Sequence, residues 1–384
     1  MKKILKKIYN NFRLYKLRYI IWEMLSFLFQ IFPLENKVMV VNYYGKGYGD
    51  NAKYIVEKLL SKKIKIIWAV KNKDIQLPNG IKKVRINSIK YFYEIATSKI
   101  WIDNCRKPYY IKKRLNQYYI QTWHGAPALK KIERDAQHGL TKYYIESAQQ
   151  DSKKIDVIIS NSKWMTNLYK NSFWYKGDIL EVGSPRNDIF YDKTLKLRDK
   201  IDKEYNTKDK IIILYAPTFR KNYSLEKYNL NYHSLKKSFE EKYKKEVIFF
   251  IRLHPNISNK SKNIKKEDYL FDVSSYDDTQ ELLYVSDILI TDFSSLMFDF
   301  SLQNKPCFLY AEDLIEYKND RDLYFDISEL PFSFSQNVKE FKEQIYDFDL
   351  EKYLNNLNKF NLKIGNSEVG NASSVIYDLI LKKL

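Results

Sequence analysis

The sequence predicts an α/β protein built from two parallel-sheet halves, and three observations carry that reading. Short, nearly continuous apolar runs alternate with helical patterns, as expected of parallel strands covered on both faces. The pattern occurs twice, on either side of a polar stretch at residues 191–210 (YDKTLKLRDKIDKEYNTKDK). The chain is also 384 residues long, more than one core usually holds, since single cores stop growing at roughly 250–300 residues.

The chain opens on MKKILKKIYNNFRLYKLRYI, with seven basic residues (Lys2, Lys3, Lys6, Lys7, Arg13, Lys16, Arg18) and no acidic one. Ile4, Ile8, Phe12, Tyr15 and Tyr19 recur at helical spacing, which predicts an amphipathic helix with a basic face. The apolar run beyond it, residues 19–34, is short and contains Glu23. It falls below the about 20 apolar residues that a membrane span needs. No small-residue cleavage site of a signal peptide comes after it. Residues 1–34 therefore read as an interfacial anchor with its basic face toward anionic lipid, in preference to a helix packed on the protein body.

Beyond it, strands are predicted at residues 38–42, 64–70, 100–103, 118–121 and 157–160, with helices at 51–60 and 89–95. The second half repeats the style, with strands at 211–215, 247–252, 269–272, 288–291 and 307–310. Helices are expected there at 230–243, 279–285 and 294–303. Two Rossmann-like halves, residues 35–205 and 206–384, facing a central cleft account for this order. In such sheets ligands sit beyond the carboxyl ends of the strands, so the residues after each strand carry the functional signal.

Composition narrows the partner. The net charge is +19 and the pI about 9.4, so something anionic is expected: nucleic acid, a membrane surface or a phosphate-rich substrate. Hydrophobic residues at 45% and charged residues at 29% exclude long disorder. Cys105 and Cys307 lie far apart without a CxxC pair, which argues against a disulfide framework or structural zinc and fits a reducing cytoplasm. No RNA-recognition, helix-turn-helix or finger pattern is present, so nucleic acid is not expected as a partner.

Two of the four histidines, His124 and His254, fall directly after predicted strands. The first sits in Thr122-Trp123-His124-Gly125, where imidazole suits proton transfer near neutral pH and Gly125 admits a ligand close to the backbone. The second sits in Arg252-Leu253-His254-Pro255, whose alternation sends Arg252 and His254 to one side, within reach of one anionic group. The strand at 288–291 ends in Thr291-Asp292-Phe293-Ser294-Ser295, where either serine can cap the next helix beside its free amides. Together these residues outline a diphosphate pocket in the second half. Gly45-Lys46-Gly47 after the first strand matches neither the P-loop nor the dinucleotide fingerprint and reads as a turn lining the cleft. Gly183-Ser184-Pro185-Arg186-Asn187-Asp188 comes after a short strand and presents Arg186.

In combination, Gly45-Lys46, Asp50-Asn51, Gln121-Thr122-Trp123-His124-Gly125, Asn161-Ser162, residues 183–188, Ala216-Pro217-Thr218-Phe219-Arg220, Arg252-Leu253-His254-Pro255 and Thr291-Asp292-Phe293-Ser294-Ser295 resemble the CDP-glycerol glycerophosphotransferases of teichoic-acid synthesis. The likeness runs from about residue 38 to the C-terminus. The resemblance implies a GT-B architecture, with an N-terminal acceptor domain, a C-terminal domain for the cytidine diphosphate donor, and peripheral attachment to the cytoplasmic membrane face. It implies that His124 is the general base for an acceptor hydroxyl, with His254 the second catalytic histidine. Arg252, His254, Thr291, Ser294 and Ser295 would hold the donor diphosphate. Gly45, Lys46, Trp123, Gly125, Arg186, Asn187, Asp188, Thr218, Arg220 and Asp292 would line the cleft, with Asp292 fixing its loop. Arginine and helix amides can take the place of a cation in such a pocket, so neither a metal nor another cofactor is expected. The acceptor would be a lipid-linked glycan or polyol phosphate, in wall or capsule polymer synthesis. CDP-ribitol as donor, a nucleotide-sugar glycosyltransferase of the same fold, and a homo-oligomeric state stay open at this point.

Overall fold

The computed structural model describes residues 17–72, 74–218, 220, 230–253, 267–320 and 322–384. Among them, the first sheet has seven parallel strands: β1 (Glu35–Val41), β2 (Lys65–Val70), β3 (Ile81–Arg85), β4 (Ser98–Asp103), β5 (Tyr118–Gln121), β6 (Val157–Ser160) and β7 (Asp178–Glu181). The second has six: β8 (Ile211–Ala216), β9 (Val247–Ile251), β10 (Leu270–Asp272), β11 (Ile288–Thr291), β12 (Cys307–Tyr310) and β13 (Ser333–Ser335). Their spatial orders are β3-β2-β1-β4-β5-β6-β7 and β10-β9-β8-β11-β12-β13, the same doubly wound order twice, with one strand added to the first sheet. Each therefore has a switch point beside its first strand, between β1 and β4 and between β8 and β11, where a ligand crevice opens.

The helices are α1 (17–28), α2 (Asp50–Leu59), α3 (Ile89–Thr97), α4 (Lys142–Ser152), α5 (Lys163–Ser172), α6 (Leu197–Tyr205), α7 (Tyr232–Tyr243), α8 (Thr279–Val285), α9 (Leu296–Ser301), α10 (Leu314–Asp320), α11 (Val338–Tyr346), α12 (Leu350–Ile364) and α13 (Ala372–Lys383). They cover both faces of each sheet, so strand alternation feeds two cores per sheet. Met39, Val41, Ile67 and Trp101 enter one core of the first half, while Val38, Val40, Trp68 and Ile102 enter the other. Ile212 and Leu214 are separated from Ile211 and Ile213 in the same way in the second half. Two strands that the apolar pattern passed over, β3 (IKKVR) and β13 (SFS), are edge strands with too little buried surface to give that pattern.

The polar stretch at 191–210 contains α6. Its Ile201 is buried in the core of the second half, although the rest of the helix is largely polar. The chain also crosses back at its end. Ile376 and Ile380 of α13 pack into the core shared by Val38, Val40 and Ile100 of the first sheet. Asp188 anchors that helix, accepting from Ala372 N at 3.0 Å and Ser373 N at 2.8 Å.

The basic amphipathic pattern expected over residues 1–16 lies outside the described residues. In α1, Tyr19, Trp22 and Leu25 pack on the first-half core, and Ser26 Oγ accepts from Lys112 N at 2.8 Å. Its outer face remains apolar and open: Met24 is 65% exposed, Phe27 71% and, in the turn just beyond, Ile31 75%.

The two halves are joined by a buried polar junction at residues 183–188. Arg186 Nε donates to Asp299 Oδ2 on α9 at 3.0 Å, and its Nη1 lies 3.7 Å from Asp50 Oδ1. Asn187 Nδ2 donates to Asp299 Oδ1 at 2.9 Å and to Glu368 Oε1 at 2.8 Å, while its Oδ1 accepts from Gln280 Nε2 at 2.8 Å. A second clasp lies on α2, where Lys53 Nζ meets Asp278 at 2.7 Å and Glu281 at 2.5 Å. Removing one partner of a fully buried ion pair strands the other charge, so Arg186→Ala should cost about 3–5 kcal/mol of stability. Urea unfolding checks this: the midpoint should drop well below that of the parent protein, and an unchanged midpoint would show that Asp299 does not depend on Arg186.

Candidate functional site

The carboxyl ends of both sheets face each other across the junction, and the residues just past the strands meet there. After β5 the chain turns through Trp123, whose φ of +52° is unusual for a bulky side chain. The turn is held from beneath by the buried Asn51, whose Nδ2 donates to Trp123 O at 3.1 Å and whose Oδ1 accepts from Arg186 N at 3.1 Å. Gly125 lies against the second half: a Cβ placed on it would stand 3.5 Å from Ser295 Oγ. The turn carrying His124 and the serines after β11 are thus neighbours.

His124 is partly buried between aromatic rings, with Trp123 at 4.5 Å and Tyr43 at 5.3 Å between centroids. Its Nδ1 lies 2.6 Å from Asn104 O, the backbone carbonyl just after β4. A carbonyl only accepts, so Nδ1 carries the hydrogen and Nε2 keeps its lone pair. Burial pushes the imidazole pKa below its ordinary value, outweighing the hydrogen bond to Asn104 and the field of Asp50. His124 is therefore neutral at pH 7 with a free lone pair, the state of a general base.

Across the cleft, Arg252 comes directly after β9. Its Nη1 donates to Val273 O at 3.2 Å and Tyr276 O at 2.6 Å. Among the described residues no carboxylate lies within ion-pair range of it, and burial lowers its pKa. Asp278 acts on it only at longer range and is already bound to Lys53. A desolvated guanidinium held by two backbone carbonyls leaves charge and donors for an anion. Ser294 Oγ accepts from Leu296 N at 3.3 Å and Ser295 Oγ makes no cap bond, so the expected capping falls to Ser294.

The other expected residues divide into groups. Thr291 is fully buried, and its hydroxyl donates to Ala216 O at 2.6 Å, tying β11 to β8 inside the sheet. Asp292 accepts from Thr218 N at 2.8 Å and Phe293 N at 2.7 Å and pairs with Arg220 at 2.9 Å. Arg220 is also bound to Asp313 at 2.6 Å, so these groups brace the loop after β8. Arg186, Asn187 and Asp188 form the junction and the α13 cap described above. Gly45 (φ +87°) packs so close that a Cβ would stand 2.9 Å from Lys71 N, whereas the Lys46 side chain extends outward, exposed. His254 lies outside the described residues. Among the described residues no group of three or more His, Cys, Asp or Glu side chains is arranged to hold a metal ion.

Sequence reasoning passed over Tyr43, Asn104 and Asp299. Asn104 was within reach, because it sits just past β4 as His124 sits just past β5. Asp299 lies inside an apolar helix, and only its partner Arg186 explains it.

The family model described as CDP-glycerol:poly(glycerophosphate) glycerophosphotransferase matches residues 24–382. The teichoic acid poly(glycerol phosphate) polymerase of Bacillus spizizenii is 31% identical over 392 residues, covering 96% of this chain and 98% of that protein. The polymerase of the same description from Staphylococcus epidermidis is 32% identical over 366 residues, 90% of this chain. This chain spans about half the length of that relative. The solved structure of the wall teichoic acid polymerase TagF superposes with a TM-score of 0.83 at 30% identity, covering 97% of each chain. One TagF structure is of a histidine-to-asparagine variant soaked with CDPG.

The lowered imidazole pKa has a direct check. In a histidine NMR titration, the His124 resonances should move at lower pH than those of an unstructured peptide histidine. Nδ1 should be the protonated nitrogen throughout the neutral range. Titration at or above the peptide value would contradict the burial argument.

Proposed function

The chain belongs to the CDP-glycerol:poly(glycerophosphate) glycerophosphotransferase family, and from that premise we propose that it moves a glycerol phosphate unit from CDP-glycerol to a hydroxyl of a lipid-linked acceptor, releasing CMP. The observation that carries the reading is the opposition of a neutral, tautomerically fixed His124 to an Arg252 lacking any carboxylate partner among the described residues. His124 Nε2 takes the proton of the acceptor hydroxyl as its oxygen bonds to the β-phosphorus. The bond from that phosphorus to the bridging oxygen breaks, and CMP leaves with the electron pair. Arg252, Ser294 and Ser295 neutralise and orient the diphosphate as charge shifts toward the leaving group. Phosphoryl transfer is governed by positioning and electrostatics, so no covalent enzyme intermediate is needed. The half carrying β1–β7 receives the acceptor and the half carrying β8–β13 the donor. His254 keeps its proposed part beside Arg252 on the strength of the family resemblance.

The enzyme works at the cytoplasmic membrane face, held there peripherally. The open apolar face of α1 and the basic residues preceding it support this, and among the described residues no helix is long and apolar enough to cross a membrane.

Purified protein with CDP-glycerol and a lipid-linked acceptor should release CMP. His124→Ala should lower kcat by about 10²-fold or more, with KM for CDP-glycerol little changed. Because the base must be neutral, kcat of the parent enzyme should fall as pH drops through the lowered His124 pKa. Exclusive use of a nucleotide-linked sugar in a donor panel would overturn the reading. In flotation assays the protein should rise with anionic vesicles, and substituting Met24, Phe27 and Ile31 together by Asp should weaken that binding.

A further inference from the structure

Tyr43, two residues past the end of β1, has no part in the reaction described above, yet it is held more elaborately than a packing residue requires. Its backbone takes a φ of +42°, a region that L residues with bulky side chains avoid. Its N–H donates to Asn104 Oδ1 at 2.8 Å, and Asn104 Nδ2 donates in turn to Asn42 Oδ1 at 2.7 Å. Its hydroxyl donates to Asp50 Oδ2 at 2.5 Å, while Asp50 Oδ1 accepts from Asn51 N at 2.6 Å. Its ring meets the His124 imidazole edge-on, with centroids 5.3 Å apart and planes at 61°. Asn104 thus grips both partners, Tyr43 through its side chain and His124 Nδ1 through its carbonyl. A tyrosine serving only the core would not need a left-handed backbone, and strain of this kind collects where geometry serves chemistry.

We propose that Tyr43 is a positioning residue for His124: its ring edge fixes the plane of the imidazole while Asp50 fixes its hydroxyl, so that Nε2 is aimed across the cleft. This rests on the reading of His124 as the base. The arrangement also sets the field on the imidazole. The charged and titratable groups facing His124 are Asp50 on α2, Arg186 after β7, Glu133 at the start of the 3-10 helix Glu133–Gly139, and Cys105 and Tyr43 after β4 and β1. The Asp50 carboxylate favours the protonated ring and Arg186 opposes it. The hydrogen bond from Tyr43 spreads the Asp50 charge, so removing it strengthens the pull of Asp50 on the imidazole.

The test compares the full-length parent enzyme with Tyr43→Ala, Tyr43→Phe and Asp50→Asn, with His124→Ala alongside, and reads kcat, KM for CDP-glycerol and the pH profile of kcat. Tyr43→Ala should lower kcat about tenfold or more with donor KM within about twofold, as expected when a base is misaimed. Tyr43→Phe retains the ring and should restore most of kcat, but the acid limb of its profile should move to higher pH. Asp50→Asn should move that limb to lower pH. A purely structural role for Tyr43 would leave the Tyr43→Phe limb at the parent position, whereas the Asp50→Asn shift calibrates the field of Asp50 alone. If Tyr43→Ala does not fold, Tyr43→Phe decides: a shifted limb supports the proposal and an unshifted one overturns it. Parent-like kcat in Tyr43→Ala would also overturn it while leaving the base assignment intact. Retained activity in His124→Ala is a separate result and removes the base itself.

Discussion

The structure depends on one buried ion pair. Arg186 and Asp299 sit where the carboxyl ends of two independent sheets converge, and each reaches a different half of the chain. Both charges are almost wholly buried, so each is satisfied chiefly by the other and by the amides around them. Asn187 shares Asp299, Gln280 shares Asn187, and Asn51 takes the Arg186 backbone N–H while gripping the Trp123 carbonyl. A buried pair of this kind adds little net stability compared with apolar packing, but it tolerates very few relative placements of its partners. Its value here is geometric. It fixes the height and rotation at which the turn carrying His124 meets the serines after β11.

Electrostatics on the two sides of the cleft are complementary. On one side, burial and a backbone carbonyl keep an imidazole neutral with its lone pair outward. On the other, burial leaves a guanidinium bound, among the described residues, only to carbonyls and therefore short of negative charge. Burial acts on both groups in the same direction, disfavouring the charged form. For histidine the result is a base ready at neutral pH. Arginine cannot give up its proton at any accessible pH, so the same penalty becomes an appetite for an anion.

Much of this was legible in the residues. Strands β5, β6, β11 and β12 have the bounds that their apolar runs indicate, because central parallel strands are apolar on both faces. The positions just past the carboxyl ends of those runs include His124, Arg252 and the serines before α9. The remainder was hidden for physical reasons. Edge strands β3 and β13 bury too little to be patterned, and α6 presents a single buried isoleucine along a charged helix. Thr291 reads as a site residue from its neighbours, yet its hydroxyl is used inside the sheet. Arg186 and Asn187 read as cleft residues, yet they are buried at the junction, since a sequence does not reveal that Asp299 and Glu368 come to meet them. Pairings between distant segments are set by tertiary packing and leave no local periodicity.

The return of α13 to the first sheet bears on how the molecule is made. Ile376 and Ile380 close a core whose other members, Val38 and Ile100 among them, leave the ribosome long before. Until that helix arrives, one face of β1 and β4 is left without part of its cover, and Asp188 has no helix to cap. The N-terminal half therefore cannot reach its final form as an independent unit during synthesis, although domains generally mature in that order. The half carrying β8–β13 must form while its predecessor is still incomplete, and the two become native together. A nascent chain with an uncovered apolar sheet face is the state in which chaperone occupancy and aggregation would compete, and the last helix ends that interval.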